Sequence, residues 1–194
     1  MASEVDVCND ALTFIGATRI TSLTDDLNEA GVMNQLYQRT VDMVLRSYIW
    51  KCAKFQAELA QSATDPTYGF DNAFRLPTDP LCLRVLDIKD ADVTYKWDRF
   101  GEFIHTDLAT CKISFIGRID ASAFDPMLRD AIAAKLAADA AYPLVGSTTL
   151  SQYMYTMFQQ KVEQAKVASI IEGSSSVLLS SATLMGTSRF DTVR

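Results

Sequence analysis

Residues 125–172 read DPMLRDAIAAKLAADAAYPLVGSTTLSQYMYTMFQQKVEQAKVASIIE, two helices joined at a sharp break. Asp125 is a good N-cap, and Pro126 follows at the first helical position, where a missing N–H costs nothing. Leu128, Ile132 and Leu136 recur at helical spacing, while Arg129, Asp130, Lys135 and Asp139 cluster towards another side. The alanines between them are small enough for a partner helix to approach closely. Pro143 disfavours helix at Tyr142, so the first helix is expected over 126–142. Thr149 with Gln152 offers a capping box for a second helix over 149–172, and Gly173 supplies its stop. Its apolar face is read as Leu150, Tyr153, Met154, Met157, Phe158, Val162, Ala165 and Ala168. Such a hairpin cannot bury its apolar face alone, so the rest of the chain must cover it.

The N-terminal part supplies two more helices. Val5, Cys8, Leu12 and Ile15 mark the first, over 3–15, ended by Gly16. Thr24 or Asp25 is expected to cap a second over 25–47, with Asp25, Asp26 and Glu29 placing negative charge in its first turns. Residues 50–59, WKCAKFQAEL, either prolong that helix or form a strand, and an extended segment is the favoured reading. Residues 61–71 are a polar loop. Residues 73–119 then hold short runs rich in β-branched and aromatic residues, with a turn expected at 98–101. Ile113, Phe115, Gly117 and Ile119 alternate with Lys112, Ser114, Ile116 and Arg118, which reads as a small antiparallel sheet with one face on the helices. The fold class is therefore α+β: a mainly helical bundle with the sheet inserted between the N-terminal helices and the C-terminal hairpin. Leu128, Ile132, Leu136, Met157 and Val162 should be buried.

With 194 residues, 48% hydrophobic and 22% charged, the chain suits one domain over 1–172 with an appendage. No apolar run is long enough for a membrane span, and the acidic start is not expected to be a signal peptide. Cys8, Cys52, Cys82 and Cys111 are scattered and read as buried thiols rather than metal ligands or a disulfide framework. The formal charge of −6 argues against sequence-independent nucleic-acid binding, though not against DNA that must slide past without sticking.

Side chains that could carry chemistry are few. His105 is the only histidine, and with nearby Asp107 it defines the one enzymatic hypothesis; a structural histidine is the plainer reading. The glycines are isolated, and none forms a phosphate loop. Asp25, Asp26 and Glu29 read better as a solvated helix start than as a cation site. Met154 and Met157 with Tyr153, Tyr155 and Phe158 read as helix packing or a subunit interface rather than a ligand pocket. Lys51 and Lys54 beside Trp50 and Phe55 are too few for a base-stacking platform. No catalytic, cofactor-binding or metal-binding residue is expected.

The end of the chain, 173–194, reads GSSSVLLSSATLMGTSRFDTVR and has no charge before Arg189. Val177, Leu178, Leu179, Leu184, Met185 and Phe190 follow no regular period, yet they are more apolar than a free disordered tail usually is. Extended, these residues reach about 70 Å. They are read as a partner-binding arm.

Taken together, the motifs resemble a family. N-D-A-L-x-x-I-G at 9–16 precedes I-T-S-L-T-D-D at 20–26, then Glu29-Ala30, Leu36-Tyr37 and V-L-R-S-Y-I-W at 44–50. A-F-R-L-P-T-D at 73–79, L-R-V-L-D-I at 83–88 and F-D-P at 124–126 follow. In this order and spacing they resemble tail tubular protein A and related head-to-tail adaptors of tailed bacteriophages. The resemblance implies a virion neck protein, made in the host cytoplasm, that assembles as a ring, usually a dodecamer. Its partners would be the portal protein above and the tail nozzle or tail tube below, with double-stranded DNA passing through the channel during ejection without specific binding. No catalysis and no cofactor are implied. Asp25, Asp26 and Glu29 are candidates for lining the channel. A non-viral soluble partner-binding module is the alternative.

Overall fold

The computed structural model describes residues 2–89 and 96–172. Among them the chain runs through α1 (Glu4–Ile15), α2 (Asn28–Ser47), β1 (Lys54–Leu59), β2 (Asn72–Arg75), β3 (Cys82–Ile88), β4 (Trp97–Phe100), β5 (Phe103–Thr106), β6 (Cys111–Gly117), α3 (Pro126–Val145) and α4 (Thr148–Ile171). The fold is α+β, with four helices and two small antiparallel sheets among the described residues. The helix α3 is the hub: α1, α2 and α4 each pack against it. Ala131, Ile132, Ala133, Ala134, Leu136, Ala137, Ala138, Ala140 and Ala141 are all buried, so α3 is covered on every side rather than along one stripe. Alanine suits that position because it has the highest helix propensity and lets three neighbours come close.

The helix ends show where local sequence decides structure. Ser3 and Asp6 form a reciprocal capping box on α1, and Gly16 closes it in the left-handed conformation. At α3, the Asp125 carboxylate accepts hydrogen bonds from the Met127 and Leu128 amides at 2.9 and 3.3 Å. Five expected boundaries differ: α1 starts at Glu4 and α4 ends at Ile171, each one residue inside expectation, and the other three have local causes. The second helix starts at Asn28 rather than 25, with Leu27 at the cap position and no side-chain cap, because Asp25 is engaged with the preceding loop. Pro143 does not end α3, which continues to Val145. So near the C-terminus the proline forfeits only one hydrogen bond, and the turn is completed by the Gly146 amide donating to the Tyr142 carbonyl at 2.9 Å. Finally, Ser147 caps α4, its hydroxyl accepting from the Leu150 amide, so the helix begins before the expected Thr149 capping box.

The β region forms two three-stranded sheets, ordered β1-β6-β3 and β2-β5-β4, instead of one. A 3-10 turn, Lys51–Ala53, precedes β1, so only the latter part of 50–59 is extended. As expected, β6 turns one face to the helices, and its other face is covered too. Ile116 joins the helical core, whereas Ile113 and Phe115 join a second core with Phe74 and Ile104 from the other sheet and Leu76 just past β2. Gly117 ends β6 where a Cβ would stand 2.7 Å from the Phe55 ring, so the strand and that ring need a residue without a side chain. The turn expected at 98–101 falls at 101–102: Asp98 belongs to β4, Phe100 pairs with Phe103, and Gly101 takes φ +60° between them.

Leu128, Ile132, Leu136 and Val162 are buried as expected, but Met157 is only partly so. Tyr153 lies outside the core altogether, 62% exposed, because α3 is narrow and takes only one edge of the broad apolar face of α4. Trp50 is buried and donates its indole N–H to the Val44 carbonyl at 2.9 Å, tying the end of α2 to the start of the β region.

Candidate interaction surfaces

The three acidic candidates at the start of α2 are not equivalent. The Asp25 carboxylate accepts from the Thr21 amide and hydroxyl at 2.8 and 2.9 Å and from the Ser22 amide at 2.9 Å. These bonds, the Ser22 amide foremost, hold its carboxyl below the ordinary value of 3.8. Asp25 therefore closes a loop, and its charge is largely committed there. Asp26 is exposed in the loop before α2, and Glu29 is half-exposed in its first turn. Of the three, these two present charge outward.

Val177, Leu178, Leu179, Leu184, Met185 and Phe190 lie outside the described residues. The described chain leads to them along an apolar surface. Val167, Ile170 and Ile171 are exposed on the last turns of α4, and Tyr142, Val145, Tyr153 and Tyr155 are exposed around the α3–α4 junction. Sequence reasoning read Tyr153 as helix packing or a subunit interface and passed over Val167, Ile170 and Ile171. The available signal was that apolar residues on α4 spread over more of the helix than one neighbouring helix can cover.

Charged residues pin the helices from outside. Arg129 reaches from α3 to Asp10 on α1, its two nitrogens 3.1 and 2.6 Å from one carboxylate oxygen. Arg118, just past β6, holds both Asp42 oxygens on α2, with Nε at 2.8 Å. Lys161 on α4 pairs with Asp130 on α3 and lies over the Phe14 ring. All four cysteines are free, and Cys8, Cys82 and Cys111 are buried while Cys52 is half-buried. Burial pushes the Cys8 thiol up to about 12 and Cys111 to about 11, far from a reactive thiolate.

His105 and Asp107 are not brought together. The imidazole stacks on Phe100, with centroids 4.6 Å apart, while the Asp107 carboxylate accepts from the Asp71 amide at 3.1 Å. Among the described residues, no cluster of three or more His, Cys, Asp or Glu is placed to hold a metal ion, and no helix is long and apolar enough to cross a membrane. No protein-family model matches the chain, and no curated protein matches it.

Proposed function

We propose that this chain is a head-to-tail adaptor of a tailed bacteriophage, a subunit of a dodecameric ring between the portal and the tail nozzle or tube. The observation that carries the reading is the ordered series of motifs from N-D-A-L-x-x-I-G at 9–16 to F-D-P at 124–126. Several of these residues hold structural posts: Asn9 fixes the loop after α1, Trp50 anchors the β region, and Asp125 with Pro126 starts the central helix. Such posts are what a family fold would retain. The exposed apolar side chains of α4 supply a surface for neighbours.

In this reading residues 1–172 form the ring body, and 173–194 are an extended arm that crosses onto the portal or an adjacent subunit. The channel wall is net negative or neutral, which keeps the DNA backbone from sticking, and Asp26 and Glu29 are better placed to contribute than Asp25. Negative-stain imaging of the purified protein, alone and mixed with a portal protein, tests the proposal. Rings coaxial with the portal are expected. A monomer that stays apart from the portal at high concentration, or a ring channel lined mainly by Arg and Lys, overturns it.

A further inference from the structure

A groove of about 380 Å³ opens between the loop after β1 and the outward face of the second sheet. Phe103 and His105 of β5 form its floor, and Ser62, Thr64, Asp65 and Thr67 lie along its wall. The His105 side of the floor is held in place: Phe100 stacks on the imidazole at an interplanar angle of 25°, and Phe70 meets it edge-on with centroids 6.4 Å apart. The wall is uncommitted. The Ser62 hydroxyl accepts from the Thr64 amide, but the side chains of Thr64, Asp65, Thr67 and His105 make no hydrogen bond to another described residue.

This combination selects a ligand chemistry. Among the described residues no Lys or Arg lines the groove, and Asp65 does, so a phosphate or carboxylate ligand meets repulsion without a compensating ammonium or guanidinium. A wholly apolar ligand leaves two hydroxyls, a carboxylate and an imidazole without partners. A neutral ring with one apolar C–H face and a perimeter of hydroxyls satisfies both requirements, because its face covers an aromatic ring while its hydroxyls pair with the wall. The volume falls within the range of about 300–1,000 Å³ common for small-molecule sites. We propose that this groove binds a neutral saccharide of one or two sugar units. The inference stands independently of the adaptor reading, since it uses none of the surfaces assigned to ring or portal contacts.

Amide NMR of the full chain, titrated with glucose, galactose, N-acetylglucosamine and maltose, tests it. At least one sugar is expected to give saturable shifts confined to the groove amides, with a Kd on the order of millimolar, as suits so small a ligand. The substitutions Asp65→Ala and Thr67→Val lie on the exposed loop and are expected to preserve the spectrum elsewhere while weakening binding about tenfold or more. Phe103→Ala is expected to abolish it, with hairpin dispersion as the check on folding. Absence of localised shifts with every sugar at about 50 mM overturns the proposal, because that concentration exceeds any meaningful Kd for a specific site. So does saturation by inorganic phosphate or by a proline-rich peptide in place of the sugars.

Discussion

At the scale of single residues, Asn9 shows how a polar side chain can be wholly committed to architecture. It is buried, its amide donates to the Ile20 carbonyl at 2.9 Å, and its oxygen accepts from the Ile20 amide at 2.8 Å. Alanine at this position leaves two buried backbone groups without partners. Asn9→Ala is expected to cost about 1–3 kcal/mol in urea unfolding, and a loss within experimental error would show that water replaces the side chain. Asp25 gives a pH dependence of defined sign. Its carboxyl titrates below the unfolded value of about 3.8, so its contribution is complete above that value and is lost as pH falls through the folded one. The stability gap between the wild type and Asp25→Ala is therefore expected to be widest near neutrality and to close as pH falls below 3.8. A gap that widens on acidification contradicts this account.

At the scale of elements, the end of α3 rests on Gly146, at φ +71° with no atom within 4 Å of a built Cβ. The penalty of Gly146→Ala is thus conformational rather than steric, about 1–2 kcal/mol, and asparagine should recover part of it. Equal stability of the wild type and both variants would remove the left-handed cap from the account. The arm is tested by deleting residues 174–194, which is expected to leave the thermal unfolding of the body unchanged and abolish portal docking; docking at wild-type affinity would show that the anchor lies elsewhere. The elements also show what was legible beforehand. Asp125 and Pro126 were readable because a cap and a first-turn proline act within four residues. Asp25 misled because a carboxylate before a helix serves a loop as readily as a cap, and the choice depends on where Thr21 and Ser22 sit. Pro143 misled because its cost depends on how many turns follow it. The division into two sheets, and with it the groove at His105, was not legible. It depends on which strand pairs β5, and that pairing joins segments some thirty residues apart. The outward residues of α4 could not be told from its buried ones because helical periodicity cannot say how many neighbours a helix will have.

At the scale of the whole molecule, the charge is unevenly spread. Residues 1–36 hold Glu4, Asp6, Asp10, Asp25, Asp26 and Glu29 against Arg19 alone, so nearly all of the net −6 resides in α1, the following loop and the start of α2. The remainder of the chain is close to neutral, which leaves the sheets and α4 free for contacts that charge would oppose. The two cores, in contrast, are not independent. Phe115 and Ile116 are adjacent in β6 and face opposite ways, one into each core. Melting either core strips one side of the strand and removes the wall on which the other is built. Heating is therefore expected to give one calorimetric transition, with equal calorimetric and van't Hoff enthalpies. Phe74→Ala, which hollows the core away from the helices, should lower that transition by about 3–5 kcal/mol of stability without splitting it; two resolved peaks would show that the cores part company. A chain wired through one strand in this way has no half-open form to populate, so heat or a pull on the sheets leaves the helices either fully held or released together.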